Sequence, residues 1–325
     1  MSAQNSSSSS RDKIELKWDA VKIREWRELT AKAGRSNLLQ TWPYAQTLMM
    51  TERQRAYFGT FHKGREIIGI CQVIQQKVLG FYHIVRVHRG PLWTSDSVTE
   101  QDKREALQLL RKSFPRRPWR RIHFLLEIPE DETNRKELAE LGYTALSGEG
   151  YHSAWLDLGK DEETLLADFK GRWRGALNKS LKQGLSLEID RQGKHLGWLM
   201  QHNELDKQLK NFRGPSMAKL AHICRFTRDK NEFLLLRALK DKRPVAAIVL
   251  VRHEKAATYL VGWSSPEGRS AAAHNFLLWE GLKILKKEDT RWLDLGGMNE
   301  KEAEGVTAFK RGMSPEEYHL IGNWC

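Results

Sequence analysis

Short apolar segments typical of strands and longer amphipathic segments typical of helices follow one another in the same order twice along this chain. Each half begins with helices, continues into a meander of short strands, and ends with a helix and one further strand. Lys63-Gly64 is a hairpin signal in the first meander, and residues 240–243 form the corresponding turn in the second. This order predicts an α+β fold of two domains, each a mostly antiparallel sheet flanked by helices.

The length of 325 residues suits two domains. We expect a disordered serine-rich tail at residues 1–12, a first domain at 13–150 and a second at 151–325, with the boundary near Gly148–Tyr151. At the start of the first domain, the pattern predicts a helix over Ile14–Ala33 and then a turn and a helix over Leu38–Met50. In the second domain, Asp161–Gln183 is predicted to hold one or two helices. The two halves share little obvious sequence, so the duplication is inferred from element order alone.

Composition excludes several classes of protein. No uninterrupted apolar run approaches the roughly 20 residues of a membrane span, and none opens the chain as a secretory signal does. The cysteines Cys71, Cys224 and Cys325 are far apart and odd in number, which argues against a disulfide framework or a zinc ribbon. A reducing cytosol is consistent with this cysteine usage, so we predict a cytoplasmic protein without integral membrane association.

The net charge of +13 points to polyanionic partners, such as nucleic acid, phosphorylated metabolites or anionic lipid surfaces. An ordinary basic enzyme is the alternative. Residues 1–150 hold 25 lysines and arginines against 18 aspartates and glutamates, and residues 151–325 hold 29 against 23. Both halves are therefore basic, and the charge does not come from a tail.

Several catalytic motifs are absent from the sequence. There is no phosphate-binding P-loop, no H-E-x-x-H zinc motif, no G-x-S-x-G elbow and no dinucleotide-binding glycine motif. The histidines do not fall at metal-ligand spacing, so we expect no metal site. The glycine-rich loop that holds the coenzyme A pyrophosphate in common N-acetyltransferases is also missing, because its nearest match, Arg172–Leu177, fails at the last position.

Two basic segments are candidates for binding phosphate. One carries Lys170, Arg172, Arg174, Lys179 and Lys182 without an intervening acid, and it is either a phosphate-binding surface or a solvated helix face. The other, Leu107–Arg121, places six cations around Trp119. Arginines beside an exposed aromatic ring suit phosphate contact with base stacking, and a basic connecting loop is the alternative.

The stretch Tyr259–Met313 carries the most specific pattern. A strand ends in Gly296-Gly297, where the backbone can approach a ligand closely, and Lys310 and Arg311 lie beside another glycine. A cation near a glycine-ended strand can stabilise an oxyanion or bind phosphate, and a capped helix end is the alternative.

These motifs resemble those of the Fem family (FemABX), which transfers amino acids from aminoacyl-tRNA to peptidoglycan precursors. The segment KGRWRGALNKSLKQGLSLEI is similar to a characteristic helical motif of that family. The run TYLVGWSS, HNFLLWEGLKIL, RWLDLGGM and GVTAFKRGM is similar to its most recognisable stretch, and LLQTWPYAQTLM and HRGPLW resemble its first-domain signatures. The resemblance covers about residues 36–318.

The resemblance implies two tandem N-acetyltransferase-like (GNAT-like) domains with the acceptor in a cleft to which both contribute, and neither metal nor coenzyme A. It places the family's lysine at Lys310, which we predict to be catalytic. The predicted donor or phosphate-binding residues are Arg172, Arg174, Lys179 and Arg311. The predicted acceptor-binding residues are Trp42, Tyr44, Arg89, Tyr259, Ser264, Asn275, Gly296 and Gly297.

The function that the resemblance implies is transfer of an amino acid from aminoacyl-tRNA to an amine acceptor, a peptidoglycan precursor or a related peptide. Peripheral contact with a lipid-linked substrate is compatible with it. Two alternatives stay open: an N-acyltransferase with an acyl-CoA or acyl carrier protein donor, and a non-catalytic RNA-binding protein. The sequence departs from the family pattern at Leu48, where many members have lysine, and it lacks the long charged helical hairpin that some members carry.

Overall fold

The computed structural model describes residues 13–210 and 214–325, so the predicted tail at residues 1–12 lies outside the described residues. The helix predicted over Ile14–Ala33 is wrong for its first part. Ile14–Trp18 forms an edge strand instead, and the helix begins at Ile23. In this strand Ile14 is buried while Glu15 and Lys17 are exposed, an alternation that suits a half-buried strand. The predicted turn and helix over Leu38–Met50 are confirmed.

The first sheet has the strand order β1-β2-β3-β4-β6-β14, with β5 paired to β3. Most neighbours are antiparallel, but β4 and β6 are parallel. The strands of this sheet are β1 (Ile14–Trp18), β2 (Arg55–Lys63), β3 (Glu66–Val78), β4 (Tyr82–Gly90), β5 (Leu92–Trp93), β6 (Arg120–Leu126) and β14 (Asn323–Trp324). The helices in this half of the chain are α1 (Ile23–Lys32), α2 (Trp42–Glu52), α3 (Glu100–Ser113) and α4 (Glu132–Glu140).

The second sheet has the order β13-β7-β12-β11-β10-β9-β8, and β11 and β12 are its parallel pair. Its strands are β7 (His152–Asp157), β8 (Ser186–Asp190), β9 (Phe233–Lys240), β10 (Arg243–His253), β11 (Ala256–Ser264), β12 (Trp292–Asp294) and β13 (Glu316–His319). The helices of this half are α5 (Glu162–Asp168), α6 (Gly171–Ser180), α7 (Leu196–Lys210), α8 (Met217–Thr227), α9 (Pro266–Ser270), α10 (Ala273–Lys287) and α11 (Glu300–Arg311). The α+β fold class is confirmed.

The end of the chain returns to the first sheet. Asn323 and Trp324 of β14 pair with Leu125 and Phe124 of β6, and Trp324 is buried in the first core. Strand β7 comes directly after the expected boundary and lies inside the second sheet, between β12 and β13. The boundary near Gly148–Tyr151 stays a prediction, but the last strand of the expected second domain belongs to the first sheet.

A shared core joins the two halves. Leu38, which precedes α2, packs with apolar residues of α7, α8 and the second sheet, and Tyr44 of α2 contacts the same cluster. Beside it, the buried imidazole of His253 lies 3.2 Å from Ser36 Oγ and 2.9 Å from Thr258 Oγ1. Burial lowers the pKa of His253 to about 3, so this histidine is a neutral structural residue at the interface.

Candidate functional site

The parallel strands β11 and β12 separate after a short pairing. Residues Ala256–Thr258 pair with Trp292–Asp294, and β11 then continues to Ser264 without that neighbour. The chain after β12 stays with its other neighbour, β7, since the Leu295 N–H donates to the Ala154 carbonyl at 3.0 Å. A register shift places Leu260 of β11 opposite no partner residue on β10. A bulge and a diverging neighbour leave backbone on this part of β11 available to a ligand.

Lys310, in the last turn of α11, points its amino group to this opening. Its side chain is 5% exposed, and its Nζ donates to the carbonyls of Gly297 at 2.8 Å and Gly296 at 3.1 Å. The Nζ also lies 5.6 Å from the centre of the Tyr259 ring. Burial lowers the pKa of Lys310 to about 8, and the negative charge of Asp294 partly opposes that shift.

Hydrogen bonds to Asp294 and Ser153 hold the glycine turn whose carbonyls accept from Lys310. Gly296 has a φ of +74°, and a Cβ there would lie 2.6 Å from the Tyr259 carbonyl oxygen, so a side chain is excluded on both grounds. The Gly296 N–H donates to Asp294 Oδ1 at 2.9 Å. The Ser153 hydroxyl lies 2.5 Å from the same carboxylate oxygen and 2.8 Å from the Gly296 carbonyl. These contacts fix the carbonyl to which Lys310 donates.

A buried ionic network connects this turn to the first sheet. Arg89 of β4 donates from Nε and Nη2 to the two Glu127 oxygens, both at 2.8 Å, and from Nη1 to Asp294 Oδ2 at 3.0 Å. The Tyr318 hydroxyl accepts from Arg89 at 2.8 Å and donates to Asp294 Oδ2 at 3.0 Å. Burial raises the pKa of Glu127, and Arg89 opposes that shift. Asp294 thus contacts both Arg89 of the first sheet and the glycine turn that holds Lys310.

The structure brings four of the eight predicted acceptor residues together and places the other four elsewhere. Arg89, Tyr259, Gly296 and Gly297 lie together around Lys310 and Asp294, as described above. Ser264 is buried at the far end of β11, where a Cβ on Gly268 would lie 2.6 Å from its hydroxyl oxygen. Asn275 is buried in α10, with its amide 3.5 Å from the Trp173 carbonyl.

Trp42 and Tyr44 lie on α2, between the two cores. The Trp42 ring stacks on Phe58 with a centroid distance of 4.6 Å. Burial raises the pKa of the Tyr44 hydroxyl to about 12, which keeps it protonated. Both rings have packing roles, and their contact with an acceptor stays a prediction.

The predicted phosphate-binding cations differ in whether they already have hydrogen-bond or ion-pair partners within the protein. Arg172 and Lys179 are exposed on α6. Arg174 instead donates to the carbonyls of Ala167 at 2.6 Å and Phe169 at 2.7 Å, where it covers the end of α5. Arg311 pairs with the carboxylates of Glu317 and Glu300. Helix α6 ends at Ser180, so Lys182 lies beyond the helix that carries Lys179.

Sequence reasoning missed the residues that orient Lys310. Asp294 was visible only as the end of a strand before two glycines, and Ser153 gave no signal because it lies 141 residues from its partner. No local sequence pattern marked Glu127 or Tyr318 as part of the site either. An acid at the end of a strand, two residues before a glycine pair, was the local pattern that could have pointed to Asp294.

The connection between β11 and α10 does not fit a coenzyme A pyrophosphate. A pyrophosphate binds to free backbone N–H groups of a glycine-rich turn that leads into a helix N-terminus. Here α9 occupies part of it, and Ala271 and Ala273 turn buried side chains into the core. In residues 13–210 and 214–325, no group of three or more His, Cys, Asp or Glu side chains is placed to hold a metal ion.

Comparison with known proteins agrees with this geometry. Residues 167–311, which include α6 and Lys310, match the family model described as an acetyltransferase (GNAT) domain. No protein of curated function matches the sequence. Among the helices described here, none has the length and apolar character to cross a bilayer.

Three solved structures are similar along nearly the whole chain. The crystal structure of FemX has a TM-score of 0.75 at 17% identity, over 95% of this chain and 96% of that one. A conserved protein of unknown function from Bacteroides thetaiotaomicron gives 0.59 at 10%, over 94% and 99%. The C-terminal domain of a putative lysylphosphatidylglycerol synthetase from Agrobacterium fabrum gives 0.55 at 16%, over 93% and 92%.

These similarities confirm the expected fold, and the family model confirms the expected class of enzyme. The resemblance to the Fem family that the motifs predicted is matched by a shared fold over almost the full chain. The chain is therefore an acyltransferase with a GNAT domain at residues 167–311, and it shares its fold with FemX over nearly its full length.

Proposed function

We propose that this protein transfers an amino acid from aminoacyl-tRNA to an amine acceptor, a peptidoglycan precursor or a related peptide, in the cytoplasm. The observation that carries the proposal is the position of Lys310, whose buried amino group faces the opening between β11 and β12. An ammonium has three N–H donors, and Gly296 and Gly297 accept two of them. The third remains for an oxygen of the substrate.

The reaction asks little more of the protein than positioning and charge stabilisation. The acceptor amine attacks the ester carbonyl carbon and forms a tetrahedral intermediate with a negative oxygen. The intermediate collapses, the bond to the ribose oxygen breaks, an amide forms, and the amine proton ends on the released ribose hydroxyl. Holding amine and ester together supplies several kcal/mol. A cation at the negative oxygen or the leaving ribose oxygen adds about 3–4 kcal/mol, and Lys310 is that cation.

The lowered pKa of Lys310 suits this role. A pKa of about 8 keeps most of the population protonated at neutral pH, so the side chain can donate to an oxyanion. Because the proton is held less tightly than in an exposed lysine, it is also easier to pass to a leaving oxygen. The contacts of Gly296 and Gly297 hold the amino group in one place while this happens.

Exposed cations of α6 provide a surface for the phosphates of the donor. Arg172 and Lys179 project from the helix that packs against α10 in the same half of the molecule as Lys310. Arg174 and Arg311 already have carbonyl or carboxylate partners, so we expect smaller contributions from them.

A second candidate is an N-acyltransferase with a different donor. The family model favours it, because its description is that of an acetyltransferase. The connection between β11 and α10 disfavours coenzyme A itself, which leaves an acyl carrier protein as the better donor of this kind.

The test incubates the full chain with peptide and nucleotide-linked peptidoglycan precursors and each donor in turn: a pool of aminoacyl-tRNAs, acyl-CoAs, and an acylated carrier protein. Mass spectrometry of the acceptors identifies the transferred group. Of the three donors, we expect only aminoacyl-tRNA to give a product. Lys310→Ala should abolish that product, whereas Lys301→Ala, at an exposed lysine of the same helix, should not. Product from an acyl donor, and none from aminoacyl-tRNA, would establish the second candidate instead.

A further inference from the structure

We propose that the β3–β4 hairpin and the loop before β6 form a docking surface for an anionic lipid bilayer. We call this surface the hairpin tip and define it by Leu79, Phe81 and Trp119 with the cations Lys77, Arg117 and Arg121. It lies at the opposite end of β4 from Arg89, about 27 Å away by the rise of an extended strand. The proposal does not depend on the transfer reaction proposed above.

The apolar part of the hairpin tip is unusually exposed. The side chains of Leu79, Phe81 and Trp119 are 83%, 65% and 51% exposed. The Trp119 carbonyl accepts a hydrogen bond from the His83 N–H at 2.8 Å, so the loop that carries Trp119 lies directly beside the hairpin. Large apolar side chains grouped at one protruding end mark a contact surface rather than scattered surface residues.

The turn between β3 and β4 has a residue type that is unusual for its backbone conformation. Leu79 has a φ of +51° and Gly80 a φ of +78°, a left-handed pair that favours asparagine, aspartate or glycine at both positions. Leucine at the first position gives no advantage to the turn, and its side chain contributes almost no burial. Its presence is explained if the side chain enters an apolar medium.

The charge around the tip complements an anionic surface. No aspartate or glutamate occurs from residue 67 to 95 or from 106 to 126, which together form the hairpin and the adjoining loop. Lys77, Arg117 and Arg121 are exposed there. Apolar side chains that insert below the headgroups, with cations that contact anionic lipids, are the elements of a peripheral membrane anchor.

The same surface fits RNA less well. Binding to single-stranded RNA uses aromatic faces on which bases stack, and Leu79, the most exposed of the three side chains, has no such face. Leu79 and Phe81 flank Gly80 at a narrow turn and offer insertion rather than a flat platform.

The test measures flotation of the full chain with vesicles of phosphatidylcholine alone and of phosphatidylcholine mixed with phosphatidylglycerol. We expect binding to the anionic vesicles that weakens with added salt. The double variant Leu79→Ser/Phe81→Ser should bind at least about tenfold more weakly, since both inserted side chains are lost. Arg117→Gln and Arg121→Gln should each weaken binding about fivefold. The matched control Leu205→Ser/Met217→Ser removes two exposed apolar side chains elsewhere and should bind like the parent.

A second readout follows insertion itself. Brominated acyl chains should quench tryptophan fluorescence, and Trp119→Phe should remove that quenching. The proposal is overturned if the parent does not bind anionic vesicles, or if Leu79→Ser/Phe81→Ser binds them unchanged with an unchanged Tm. It is also overturned if that variant loses tRNA binding while its vesicle binding persists, because the tip would then be an RNA-binding surface. Transfer to a soluble acceptor should be the same in the tip variant and the parent, which separates this test from that of the reaction.

Discussion

Each of the two sheets has a place where two neighbouring strands separate, and the two places differ in whether a side chain fills the gap. In the first sheet, the gap between β3 and β4 is closed by the buried side chain of Gln40. Its amide donates to the His88 carbonyl at 2.5 Å and accepts from the Gln72 N–H at 2.6 Å. Gly90 leaves room for it, because a Cβ there would lie only 3.0 Å from the amide. The first sheet is thereby sealed.

In the second sheet, the gap lies between β11 and β12. Within residues 13–210 and 214–325, no hydrogen-bonded side chain bridges these two strands beyond Thr258. Lys310 reaches the edge of this gap and binds the two glycine carbonyls, with one donor to spare. The parallel strands β4 and β6 remain paired from His83 to Gly90, with one register shift after His88, whereas the pairing of β11 with β12 ends after Thr258. One element order thus gives a closed scaffold in one half and a candidate reaction site in the other. The predictions below challenge this division.

The largest expected effect is on stability, at the junction between the two sheets. Arg89→Met leaves the buried Glu127 and Asp294 without their cation, and we expect a loss of about 3–5 kcal/mol in the free energy of unfolding. Because burial already raises the pKa of Glu127, that carboxyl should bind a proton more readily in the variant. A group with a raised pKa in the folded state favours folding at low pH, so the deficit should shrink as the pH falls toward 5.

Urea unfolding from neutral pH down to pH 5 measures this effect. Arg89→Lys, which keeps a charge, is the control and should lose less stability. A deficit in Arg89→Met that does not change with pH would show that the carboxylates are not responsible.

Lys310→Ala should lower turnover far more than it lowers stability. We expect turnover to fall by about 10²–10³-fold, the loss of about 3–4 kcal/mol of transition-state stabilisation. Transfer assays with the parent and the variant, with Tm as the accompanying measurement, test this. Near-full activity in Lys310→Ala would remove the main distinction between the two sheets.

The pH dependence of the reaction sharpens that prediction. Since burial lowers the pKa of Lys310 to about 8, the ammonium is present below that pH and is lost above it. If the ammonium is the donor to the oxyanion, kcat should decline as the pH rises through about 8. Lys310→Arg keeps its charge at all these pH values and should show no such decline, whatever its maximal rate.

Gln40→Leu should do the reverse of Lys310→Ala. It leaves the Gln72 N–H and the His88 carbonyl without their bridging partner, and we expect a loss of about 1–3 kcal/mol in stability with unchanged turnover. Thermal unfolding and the transfer assay measure the two quantities. Gln101→Leu, at an exposed glutamine of α3, is the control and should change neither. A large loss of turnover in Gln40→Leu would place part of the reaction site in the first sheet.

The smallest effect is expected at an exposed ion pair. Glu149 pairs with Lys301 of α11 across the connection between the two halves, and both side chains are about 80% exposed. Glu149→Gln should change the Tm by no more than about 1–2 °C, because solvent screens such pairs. A larger change would mean that this connection also holds α11 and Lys310 in place.

The local sequence predicted most elements because their burial patterns are local. The predicted hairpins at Lys63-Gly64 and at residues 240–243 agree with the structure. Ile14–Trp18 was mistaken for helix because five residues are too few to distinguish their apolar–polar alternation from the start of a helix. Their strand partner, β2, lies more than forty positions away. Helix α11 and strands β13 and β14 were also missed, since short segments depend on the partners against which they pack.

By itself, the sequence determined the order of the elements, the basic charge of both halves and the position of the glycine–lysine motif, because each of these is written in neighbouring residues. Only the tertiary structure decided which cations are already paired, that Asp294 links Arg89 to the Lys310 turn, and that one sheet is sealed while the other is open. These features depend on burial and on contacts between residues 100 or more positions apart, and both arise only when the chain has folded.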